Sequence, residues 1–346
     1  MPYTTIDKST LYFNTKLYTG TGSSNAVTGV GFQPDMVWGK NRDTTFNHQI
    51  NDAVRGVNKQ LAPNNGNAQE TNSGELTAFG TDGFTVGTGG TLNGNGNDIV
   101  TWNWRAGAGA GSSNTDGSIN TTSTSVNTTA GFSISTYTGT GSAATIGHGL
   151  GATPGWIIVK RLDDSSTWRI FHKDLGATKN LSFDTGTPLT QSVVWNDAAP
   201  TSSLFSVGTA GDTNGSSNTY VAYCWAEKTG YSKFSSYTGN GSADGTFVYT
   251  GFRPAFLLSK NTTATQGWLL VDSKRGNPFN PIDGSLHPNS NAAEDTSSDF
   301  FVDFYSNGFK VRDTDAQLNA SGNIYVYIAF AEAPLVGSNN ILATAR

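Results

Sequence analysis

Four histidines, one cysteine, a few paired acids and eight tryptophans are the side chains of this sequence with the most chemistry to offer. His48, His148, His172 and His287 are the available bases and ligands, yet no two stand at a metal-binding separation such as H-x-x-x-H. His148 lies between glycines, and the other three fall in segments that vary between the repeats described below, so surface or turn roles are expected for all four. Cys224 sits inside the alternating stretch Tyr220 to Trp225 and reads as a small packing residue, not a nucleophile. Glycoside hydrolysis needs two facing carboxylates, and the pairs on offer are Asp163 with Asp164, Asp299 with Asp303, and Asp313 with Asp315. None recurs through the chain, and no catalytic residue is assigned.

Asp313-x-Asp315 with Asn319 and Gly322 loosely matches an oxygen-rich calcium loop without the spacing of an EF-hand. Calcium is the one ion the sequence suggests, and no cofactor is expected. Gly20-x-Gly22 and its relatives lack the Gly-Lys-Ser/Thr of a phosphate loop and read as tight turns needing positive φ. Asp52-x-x-Arg55-Gly56 and Asp272-x-x-Arg275-Gly276 would set a carboxylate against a guanidinium across a turn, a role in the fold. Indole faces also stack on sugar rings. Trp38, Trp102, Trp104, Trp156 and Trp225 lie in repeated strands and read as core. Trp168, Trp195 and Trp268 lie in less repeated segments and are the candidates for exposed glycan stacking.

The elements that position these residues come in three copies. Tyr18-Thr19-Gly20-Thr21-Gly22-Ser23 recurs from Tyr137 and, as Tyr-Thr-Gly-Asn-Gly-Ser, from Tyr237. A Gly-x-x-Pro turn follows each, ending at Pro34, Pro154 and Pro254, so Tyr and Pro stand 16, 17 and 17 residues apart. That offset is too constant for chance, and it fixes the register of the repeat. Next comes an apolar run closing on lysine: Met36 to Lys40, Trp156 to Lys160, Phe256 to Lys260. Each copy ends on an aromatic alternating strand, Ile99 to Trp104, Tyr220 to Trp225, or Ile324 to Phe330. The expected fold is all-β: three tandem jelly-roll-like β-sandwich domains, over 1–107, 131–228 and 229–346, the last with a C-terminal tail. Residues 108–130, rich in Gly, Ser and Thr, read as a linker that includes an edge strand near Ser118 to Val126, mirrored by Thr4 to Phe13. Helix signals are nearly absent; Asp52 to Leu61 is the best candidate for a short helical turn.

Composition narrows the function classes. Charged residues are 14% of the chain and the net charge is −5, with no basic patch, which argues against nucleic acid as a partner. The lone cysteine leaves stability to packing or association. No apolar run is long enough to cross a membrane and the N-terminus has no basic and apolar leader, so a protein made in the cytoplasm without a signal peptide and without membrane insertion is expected.

The Tyr-Thr-Gly-x-Gly-Ser units, the Gly-x-x-Pro turns, the Tyr220-Val-Ala-Tyr-Cys-Trp-Ala226 strand and the ending Ala329-Phe-Ala-Glu-Ala-Pro334 resemble virion structural proteins of tailed phages that infect marine bacteria. The resemblance runs the full length, from Tyr3-Thr-Thr-Ile-Asp7 onward. It implies a non-enzymatic protein of the virion exterior, a tail or fibre component ahead of a capsid decoration. The partners expected are copies of itself and other virion proteins, with host surface polysaccharide as the partner of a glycan-binding reading. A glycan-binding, host-recognition module is the alternative, and a glycan depolymerase the third reading.

Overall fold

The computed structural model describes residues 3–277, 279–297, 300–337, 339 and 341. Strands make up 41% of the chain and helix 4%, so the all-β class holds. Among the described residues helix is confined to the four-residue turns Gly90–Asn93, Ser192–Trp195 and Gly211–Asn214 and a 3-10 turn at Ser9–Leu11. The turn expected at Asp52 to Leu61 is not helical. The Asp52 carboxylate takes the Arg55 N–H at 2.8 Å, Gly56 follows at φ +93°, and the chain re-enters a strand at Lys59–Gln60.

Each repeat builds one large antiparallel sheet. In the first the order is Phe13–Thr19, Asp98–Trp104, Met36–Asn41, Gln49–Asp52. The second runs Ser123–Asn127, Phe132–Thr138, Thr219–Trp225, Trp156–Arg161, Arg169–His172, and the third Ser232–Thr238, Ile324–Pro334, Phe252–Asn261, Trp268–Asp272, Ser285–Leu286. The registers agree: Trp38 faces Trp102, Ile158 faces Tyr223 and Leu258 faces Ile328. By the same pairing Cys224 matches Asn103 and Ala329. A smaller outer sheet accompanies each: Asn25–Thr28 with Gly83–Val86 and Leu76–Gly80, Ala144–Gly147 with Leu204–Val207, and Phe247–Tyr249 with Gly308–Val311 and Val302–Tyr305.

The large sheets are buried on both faces, which is why their strands read as near-continuous apolar runs. One face packs on its own outer sheet, as Val37 and Ile99 do on Phe84 and Val86. The opposite face joins a single cluster with the other two repeats, in which Trp38, Trp102 and Trp104 meet Trp156, Tyr223 and Trp225, and Phe256, Ile328 and Phe330. Trp104 packs edge-on against Trp225 at 6.1 Å and Phe330 at 5.6 Å, so the first repeat touches both others at the centre. Burying each large ring contributes about 2 to 3 kcal/mol, and here that gain is shared across repeats.

The stretch expected as a loose linker is tied down. The Asp35 carboxylate accepts the backbone N–H groups of Ala106 at 2.7 Å, Ala108 at 3.1 Å and Gly109 at 2.7 Å. Ser112 bridges to Thr124, and Ile119 is buried against Ile146. The edge strand is Ser123–Asn127, whereas Thr4 to Phe13 holds only the 3-10 turn before its strand starts at Phe13. One buried acid thus gathers three backbone N–H groups where the first repeat hands over to the second.

Candidate functional site

The titratable residues converge on the seams between repeats. Asp52, His172 and Asp272 occupy one register position, facing Met36, Trp156 and Phe256. Asp272 of the third repeat accepts the Trp102 indole N–H of the first at 2.9 Å. Asp52 of the first accepts the Tyr223 hydroxyl of the second at 2.6 Å. His172 of the second lies 3.2 Å from the Tyr327 carbonyl of the third. Each repeat thus meets the next in the same sense, a heterologous contact that closes after three steps. Arg55 and Arg275 then neutralise the two acids from three residues on, at 2.5 and 2.6 Å, fully inside the molecule. Arg275 also pairs with Glu294 at 2.7 Å, and Glu294 reaches Arg42 of the first repeat at 2.6 Å. The Asp-x-x-Arg-Gly motif is a fold device, and in the second repeat the register places His172 where the acid stands in the others.

A second seam position holds His48, Trp168 and Trp268, opposite the three lysines in the strand register or one step beyond it. The Trp168 indole donates to the Ala62 and Asn65 carbonyls, each at 3.0 Å, and the Trp268 indole to the Ser182 carbonyl at 2.7 Å, in both cases across a seam. The three tryptophans proposed as sugar platforms are therefore corrected. Trp168 and Trp195 are 2% exposed and Trp268 is fully buried, so none offers a face to a ligand. Trp195 closes a helical turn and packs edge-on against Phe171 at 6.2 Å. Their segments look less repeated because they fill seams and the second repeat's own core.

Lys40, Lys160 and Lys260 are all buried and donate to carbonyls of the loops that follow them: Asn41 at 2.6 Å and Thr44 at 3.0 Å, Arg161 at 2.8 Å, and Gln266. Burial pushes each ammonium down to about 8, a range in which an amine can serve as base or nucleophile. Here all three are enclosed, and the chemistry they perform is to hold loops. The histidines are not the surface groups expected: His48, His148 and His172 are buried and His287 half-buried. Burial pushes His148 and His172 down to about 4, so both are neutral at pH 7. Burial likewise pushes the Cys224 thiol up, keeping it protonated.

The paired acids are engaged one by one. Asp163 and Asp164 both pair with Arg161, at 2.8 and 3.4 Å. Asp313 accepts the N–H groups of Phe300 and Asp315, and Asp315 that of Gln317, so this loop is closed by its own backbone. Asp299 lies outside the described residues. Among the described residues no three His, Cys, Asp or Glu side chains gather as a metal site. The cavity beside His48, lined by Gln60, Glu70 and Thr91, holds about 50 Å³, room for one or two waters.

The feature the sequence reading missed is on the surface. Phe247, Tyr249 and Tyr305 are 44%, 55% and 38% exposed on the outer sheet of the third repeat. Phe247 and Tyr305 are in edge-to-face contact at 6.1 Å. The register sets Ala26 and Thr145 at the Phe247 position, and Thr28 and Gly147 at the Tyr249 position. Aligning the repeats position by position shows this divergence, whereas counting tryptophans does not.

A family model described as a domain of unknown function, DUF7483, matches residues 8–334. The chain belongs to that family. No curated protein and no solved structure matches it.

Proposed function

We propose that the chain is a non-enzymatic structural protein of a phage particle exterior, a tail or fibre component ahead of a capsid decoration. Its three jelly-roll-like sandwiches act as one block, and it works in many copies. The observation that carries this reading is the use made of the polar repeat residues. Asp52, Asp272, Trp168, Trp268 and the three lysines, the groups with most chemistry to give, are spent inside the molecule on seams and loops. A charge-poor exterior supports association, because neutral Thr, Ser, Asn and Gly surface is desolvated at small cost.

Two measurements on purified particles and protein test this. Quantitative mass spectrometry should find the chain at a fixed copy number per virion, and incubation with host surface glycan should release no reducing ends. A chain absent from particles, or cleavage abolished by one Asp or Glu substitution, overturns the reading. The alternative, a glycan-binding host-recognition module, is favoured by the exposed aromatics of the third repeat. It is compatible with a place on the particle.

A further inference from the structure

We propose that the outer sheet of the third repeat is a glycan-binding face on which Phe247, Tyr249 and Tyr305 stack against a neutral sugar chain. This rests on the glycan-recognition reading and not on the particle location. The repeats share their core and seams, so a change that touches neither needs another explanation. At two of these positions the other repeats carry small residues, where the third carries half-exposed rings.

The shape of the patch selects the ligand. Gly308 pairs with both Tyr249 and Tyr305, so it forms a floor between two tyrosines. The Phe247 ring leans over that floor, its Cζ standing 3.0 Å from where a Cβ at Gly308 would be. Aromatic faces take up the apolar C–H faces of sugars, and three half-exposed rings offer roughly 300 Å². A stable pairing with a second protein copy needs about 800 Å² from each side. The patch is too small for that and suits a few sugar rings.

Charge points the same way. Asp244 pairs with Lys310 at 2.5 Å and Arg312 at 3.4 Å, and Asp303 lies 3.5 Å from Arg312. The Tyr305 hydroxyl donates to Asp303 at 2.9 Å. Two acids cancel two bases, so the rim favours neither an acidic nor a basic partner. It offers donors and acceptors side by side, which suits hydroxyl groups that both give and take hydrogen bonds.

The test is a printed array of neutral and acidic glycans probed with the full chain, with the Phe247→Ala/Tyr305→Ala double variant and with Tyr249→Ser. All three rings are half-exposed and outside the core, so the thermal midpoints of the variants should stay within a few degrees of the parent. The expected result is binding to neutral glycans that survives high salt and falls at least about tenfold in both variants. If the parent binds and the variants bind equally well, the face is misplaced while glycan recognition stands. If the parent binds no glycan, both fall. Binding only to acidic glycans, lost in high salt, also overturns the proposal, as does self-association that the variants abolish.

Discussion

Asp272 shows how much one side chain carries: it is fully buried, neutralises Arg275 and holds the Trp102 indole across a seam. Removing one partner of a buried pair leaves an uncompensated charge, so Asp272→Ala should lose about 3 to 5 kcal/mol of stability in urea titration. Asp164→Ala, at an exposed pair with Arg161, should cost less than about 1 kcal/mol. An equal cost for the two would remove the seam from the account. The buried bases set the pH dependence. His148 and His172 are at about 4 in the fold against about 6.5 unfolded, so the unfolded chain binds more protons between those values. Stability is therefore lost as pH falls from about 6.5 toward 4. The three lysines, at about 8 in the fold against about 10.4 unfolded, act in the same sense at higher pH. The thermal midpoint should rise from pH 8 to about 10, where buried tyrosines such as Tyr137 and Tyr237, held protonated by burial, reverse the trend. Melting curves across this range check it; a flat midpoint from pH 8 to 10 would show that the lysines are solvated.

At the scale of elements, the Tyr-Thr-Gly-x-Gly-Ser turn explains itself in two parts. Gly22, Gly141 and Gly241 have φ of +67°, +76° and +68°, as the sequence led one to expect. Gly20, Gly139 and Gly239 are glycine for a different reason: a Cβ there would stand 2.2 to 2.4 Å from a carbonyl of the facing loop. That loop ends on Asn93, Asn214 or Asn319, whose side-chain oxygen takes the turn's N–H at 2.8 to 2.9 Å. The amide nitrogen of each donates back to Ser23, Ser142 or Ser242. Asn214→Ala removes a buried amide that bonds the Thr140 N–H and the Ser142 and Gly208 carbonyls, at a cost of about 2 kcal/mol. Gly139→Ala forces the loops apart and should cost about 1 to 3 kcal/mol. Denaturant midpoints of the two variants check this, and unchanged values would mean the loops move freely. These asparagines were legible only in hindsight, because the sequence gives no sign of which turn a distant amide will clamp. The strands were legible, since Met36 to Lys40 and its counterparts carry an apolar run with turn residues at each end. The seams were not, because Trp168, His48 and Trp268 share a role while differing in type, and register appears only once strands pair. The aromatic face escaped for the opposite reason: Phe247 and Tyr249 flank a buried Val248 and look like any strand.

Over the whole molecule, sequence separated three units and packing joined them. A linker was expected after the first unit, yet Trp104 lies between Trp225 and Phe330 and Asp35 pins the chain that follows it. One core made from three repeats has a thermodynamic signature. The slope of stability against urea scales with the surface exposed in a cooperative step. Equilibrium urea unfolding of the intact chain, followed by tryptophan fluorescence and far-ultraviolet circular dichroism, should give coincident single transitions with the steep slope of a chain of 346 residues. Two or three separate transitions, each with the shallow slope of a domain of about 100 residues, would contradict the ring of seams on which the account rests.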